Sequence, residues 1–238
     1  MSAIPSFTKV GTHFADTDTA DAIRVHTGGA GVLLGADQSG KPVTVSLFRP
    51  EPTFVVVIGQ LGLAQLVSFR ALGVGAALAV TTVRPSAWSA LERTAVDTQG
   101  AVEITWPASR PGWFGSSLRP QLVLVDSDST AAVGAMPTVH AWSTLITVRE
   151  HIASRDTNLL GRADLILTQA LSLQEAAQLC GAVNMTAYST AFAALPERTI
   201  AVISHASVRS ARLAPTAIER QLIGPLARTD NASPAGNY

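Results

Sequence analysis

The five consecutive apolar residues Phe54, Val55, Val56, Val57 and Ile58 constrain this chain more than any other feature. β-Branched side chains pack well on a pleated surface, and a run without polar alternation suits a strand covered on both faces. Strands of that kind belong to parallel sheets, whose crossovers lay helices on either side. Further strands are read at 76–83, 121–125, 143–149, 163–168 and 198–204, and β-prone stretches at 102–106 and 207–213. Helical signals fall between them. Leu63, Leu66, Val67, Arg70 and Ala71 follow a helical period closed by Gly73 and Gly75. Pro85 suits the first turn of a helix over 85–95. Ser172 with Glu175 three residues on is a capping-box pattern, opening a helix that the sequence ends at Gly181. Residues 215–222 read as a last short helix.

Ahead of the first long strand, 31–35 and 42–48 flank a turn of Asp37, Ser39 and Gly40 and predict a β-hairpin, stopped by Pro50 and Pro52. Strand and helix in alternation predict an α/β fold, a mostly parallel sheet with helices on both faces and an N-terminal β-hairpin. The expected organisation is a loose leader over 1–20, one α/β domain over 21–226 and a disordered tail over 227–238.

Charge narrows the function classes. The chain has 17 basic and 17 acidic residues, so its formal net charge is zero. That argues against nucleic-acid binding by bulk electrostatics, which gains affinity through counterion release at a basic surface. Charged residues are only 14% against 47% hydrophobic, which favours some surface being covered by a partner. The single cysteine, Cys180, rules out an intrachain disulfide and reads as a small buried hydrophobe. The five histidines show no zinc-binding spacing, and no metal is expected. No secretory signal and no transmembrane stretch stand out, which suggests a cytoplasmic chain.

Ligands of an open parallel sheet bind beyond the carboxyl ends of its strands. Two such ends stand out. The strand at 54–58 runs into Gly59, Gln60, Leu61 and Gly62 and then a helix, the layout of a phosphate loop. The strand at 121–125 ends on Asp126, the layout of a Walker B carboxylate that helps hold magnesium. Hairpin, strand and glycine turn in this order over 31–210 resemble the entry into the motor domains of FtsK and of the C-component ATPases of type VII secretion. The segments around Leu47–Thr53, Arg70–Gly73, Thr82–Trp88 and Ala214–Gly224 resemble the soluble region of the actinobacterial E component of type VII secretion. This resemblance implies a structural subunit at the cytoplasmic face of a membrane complex. Its partners would be other secretion-system subunits or further copies of itself, with no cofactor.

The departures bear directly on catalysis. A working phosphate loop reads G-x-x-x-x-G-K-[ST], its lysine on the β- and γ-phosphates. Here the second glycine is lost, and Gln65 and Leu66 fall at the lysine and hydroxyl positions. No lysine follows Lys41, and Ser127 stands where a catalytic glutamate is usual. The expectation is a vestigial phosphate turn at Gly59, Gln60 and Gly62, a vestigial Walker B at Asp126, and no enzymatic activity. Two alternatives stand beside it: a diverged NTPase completed by a neighbouring chain, and a small-molecule-binding, Rossmann-like enzyme using the same turn with Asp126. Trp113 and Phe114, in a loop rich in proline and glycine, are the expected partner contact.

Overall fold

The computed structural model describes residues 31–96, 102–105, 115–126, 138–205 and 207–228, and the statements that follow concern these. Ten strands form one sheet: β1 Val32–Ala36, β2 Pro42–Val45, β3 Thr53–Ile58, β4 Ala77–Thr82, β5 Val102–Thr105, β6 Gln121–Asp126, β7 Ser143–Arg149, β8 Leu165–Thr168, β9 Thr199–Ser204 and β10 Ser207–Arg212. Their spatial order is β2-β1-β10-β9-β8-β3-β7-β6-β4-β5. From β5 through β8 the pairings are parallel. The remaining pairings, β8 with β9 onward to β2, are antiparallel. The predicted hairpin β1–β2 therefore joins the main sheet, through β10.

The helices are α1 Leu61–Gly73, α2 Ser89–Val96, α3 Thr157–Gly161, α4 Leu173–Val183, α5 Ser189–Ala193 and α6 Ala217–Leu222. A strand sends alternate side chains to opposite faces, and β3 divides its apolar run accordingly. Val55 and Val57 pack with Leu63, Leu66 and Val67 of α1 and with Trp88. Val56 and Ile58 pack on the other face with Leu160, Leu179 and Phe192 from α3, α4 and α5. The expected mostly parallel sheet with helices on both faces is the fold observed.

Several boundaries differ from the sequence reading. The predicted helix 85–95 is a 3-10 turn, Pro85–Trp88, followed by α2. α4 does cap on Ser172, whose hydroxyl accepts from the Glu175 N–H, but it passes through Gly181 and stops at Asn184 in the left-handed conformation, φ 56°. Asparagine tolerates that conformation and supplies the stop. Past the expected domain boundary at 226, Arg228 is still held, its side chain 6% exposed. The leader 1–20, the residues 229–238 of the expected tail, and Trp113 with Phe114 lie outside the described residues.

Candidate functional site

The parallel strands β3, β4, β6, β7 and β8 end together. Ile58 pairs with Arg149 on one side and Thr168 on the other, and Thr82 pairs with Asp126. This shared carboxyl edge carries both predicted sites, with β7 lying between β3 and β6.

At the first site, only Gly59 and Gln60 link β3 to α1. A phosphate cradle needs a run of consecutive N–H groups turned toward one anion, and a two-residue link is too short to supply it. Ala64 and Gln65, at the positions of the second glycine and the lysine, already lie inside the helix. Gly59, at φ 145°, has a backbone that other residues rarely adopt. A Cβ there would collide with the Gln169 side chain. Gln169, just past β8, accepts the Gln60 N–H on Oε1 at 2.7 Å. Its Nε2 donates to the carbonyl of Leu226.

The segment 223–228, after α6, lies over this turn. A Cβ on Gly62 would run into the carbonyl oxygens of Gly224 and Pro225. Gln65 is 3% exposed. It donates from Nε2 to the Ala87 carbonyl at 2.7 Å and accepts the Gly224 N–H at 2.8 Å. Thus Gly59, Gln60 and Gly62 do come together as a strand-to-helix turn, but it is closed by Gln169, Gln65 and the chain's own later backbone. Sequence reasoning singled out the turn and missed Gln169 and 223–228. The glutamines carry no motif of their own, and their role shows only once distant segments meet.

At the second site, Asp126 is 2% exposed. It accepts from Thr82 Oγ1 at 2.8 Å and from Trp88 Nε1 at 2.9 Å. Arg84 adds Nε and Nη2, the latter at 2.7 Å. A carboxylate offers about four lone-pair sites, and these donors occupy them. The pairing with Asp126 raises the Arg84 pKa despite partial desolvation, with Glu150 adding to it from 2.5 Å. The arrangement is an arginine clamp between two carboxylates. No group of metal-ligating side chains occurs among the described residues. Ser127, at the position of the usual catalytic glutamate, lies outside them.

A third cluster ends the segment. Arg228 donates to the carbonyls of Ala170 at 2.9 Å and Glu150 at 2.6 Å, and to Glu175 Oε1 at 2.6 Å. Burial pushes the Glu175 carboxyl up. The hydrogen bond from Arg228 and the N–H and hydroxyl of Ser172 outweigh it and bring the pKa down to about 2. Beside it a hollow of about 260 Å³ opens among His151, Ser172, Glu175, Gln178 and Arg228. The open space thus lies against Arg228.

No protein-family model matches the sequence, and a search of curated proteins also finds no match. Solved structures do match. VirB4 of Thermoanaerobacter pseudethanolicus superposes with a TM-score of 0.54 at 9% identity, over 81% of this chain and 99% of that one. The genome packaging NTPase B204 from Sulfolobus turreted icosahedral virus 2, in complex with ATP-gammaS, gives 0.47 at 12% identity, over 69% of this chain and 98% of that one. The cytoplasmic domain of the Thermomonospora curvata type VII secretion ATPase EccC gives 0.45 at 11% identity, over 82% of this chain and 31% of that one. Sheet order, crossovers and the VirB4 superposition define an α/β fold of the P-loop NTPase kind. Among the described residues no helix is long and apolar enough to cross a membrane.

Proposed function

We propose that this chain is a non-catalytic assembly subunit of a membrane-associated secretion system of the type VII kind, related to its E component and built on a nucleotide-binding fold that no longer takes nucleotide. One observation carries the reading: the carboxylate at the Walker B position has its lone pairs occupied by Arg84, Thr82 and Trp88, leaving none for magnesium. The filled turn at Gly59 supports it from the other side. The placement of the segments that resemble the E component supports it too. Thr82, Arg84 and Trp88 hold Asp126, while Glu219 and Gly224 bond Arg70 and Gln65 of α1. Thr82–Trp88 and Gly224, part of that resemblance, thus lie along the carboxyl edge, where 223–228 fills the groove over the Gly59 turn. In this role the groove is internal packing, and the outer surfaces meet neighbouring subunits.

Titration of the full chain with ATP and magnesium gives no binding heat, and phosphate release stays at the buffer rate. Asp126→Ala lowers thermal stability without touching any turnover. ATP hydrolysis by the wild-type chain that disappears in Asp126→Ala refutes the reading.

A further inference from the structure

The groove holds 223–228 the way a recognition site holds a peptide. The segment is neither helix nor strand. Side chains of the groove reach its backbone: Gln65 takes the Gly224 N–H, and Gln169 donates to the Leu226 carbonyl. Leu226 packs its side chain on the core beneath. Arg228 ends the contact, donating to the Ala170 and Glu150 carbonyls, to Glu175 and to His151 Nδ1. Gly62 is the floor on which the Gly224 and Pro225 carbonyls rest, and no other residue leaves them room. Backbone bonds for affinity and a few side-chain anchors for selectivity are the usual division of labour in peptide grooves.

Two further facts separate the segment from the rest of the fold. α6, just before it, is anchored independently: Arg70 pairs with Glu219 at 2.6 Å, and Thr216 caps the helix through Glu219. The groove's glutamines are also fixed from behind, Gln65 by Ala87 and Gln169 by the Gln60 N–H. They keep their aim when the segment leaves, and preorganisation of that kind favours rebinding.

We propose that the groove over the Gly59 turn is a peptide-recognition site occupied in cis by residues 223–228. With that segment withdrawn, it takes in trans a peptide of the same chemistry: glycine-proline, an apolar residue, and an arginine two positions on. This rests on the reading that no nucleotide occupies the groove.

The test uses the full chain with Arg228→Ala, which weakens the cis segment, and a synthetic peptide with the sequence of 223–228. Hydrogen exchange at 223–228 speeds up in the variant, and speeds up further when added peptide takes the groove from the cis segment. The variant binds the peptide saturably, at least about tenfold more tightly than the wild-type chain, in which the cis copy competes. A peptide with alanine in place of its arginine binds neither. Glu175→Gln, which removes the charge facing Arg228 while leaving a hydrogen-bonding amide, repeats the exchange result if Arg228→Ala folds poorly. Faster exchange without peptide binding, or exchange unchanged in both variants, overturns the proposal. ATP with magnesium displacing bound peptide overturns the nucleotide-free reading instead, while the peptide site stands.

Discussion

Asp126 shows how one residue type at one position supports two opposite readings. A carboxylate closing a buried strand is what a magnesium site needs, and the sequence reading placed it correctly at the carboxyl edge. Its occupancy was not legible, because Arg84 and Trp88 come from a segment 42 and 38 residues away. Glu175 was legible as a capping residue from its spacing to Ser172, yet its partnership with Arg228 was not. That partnership makes a pH prediction. The native carboxyl ionises near 2, against an ordinary 4.5. A depressed native value contributes stability that is fully present above pH 4.5 and is lost as pH falls toward 2. Solvent screening reduces the contribution to about 1 kcal/mol at neutral pH. Denaturant titrations of wild type and Glu175→Gln therefore differ by about this amount at pH 7, and the two curves converge as the pH is lowered toward 2.

Among the elements, those with strong local signals were readable. The apolar runs gave β3, β4, β6, β7, β8 and β9 to within a few residues, since burial on both faces dictates their composition, whereas β1, β2 and β10 alternate and were read from β-prone residues beside turn signals. Direction was less accessible. β9 is as apolar as β8 but pairs with it antiparallel, and composition reports coverage of the faces without reporting which way the chain runs. α3 and α5 are five residues each, too short to display a period. The turn between β3 and α1 is the decisive element. Gly59 in that link and Gly62 in the first turn of α1 suggested a vestigial phosphate turn, whereas their actual use is close approach to Gln169 and to 223–228. Gly62→Ala places a methyl group against the Gly224 and Pro225 carbonyls, an overpacking that costs about 1–3 kcal/mol. Melting curves register the loss, and hydrogen exchange locates it at 223–228 with β3 still protected.

For the molecule as a whole, Arg70 ties the hairpin strand β1 and the helix α6 to α1. From α1 it donates to the carbonyls of Leu33 and Leu34 in β1 at 2.9 and 2.8 Å, and it pairs with Glu219 of α6. Burial raises the Glu219 carboxyl, but the bond from Arg70 and the Thr216 cap hold it below its ordinary value. Arg70→Ala leaves a buried carboxylate without its cation, a change costing about 3–5 kcal/mol. Exchange measurements show the loosening in both 32–45 and 216–222, regions far apart in sequence. Bonds such as these also set an order of assembly. β1 meets the main sheet only at β10, where Ala36 pairs with Arg212. The hairpin is made some 170 residues before its seat, and joining such distant segments is slow. Until then Val32, Leu34 and Val43, all buried in the finished fold, face water. The hairpin is thus among the last of the described elements to dock, and that interval is when a nascent chain of this design most needs a chaperone.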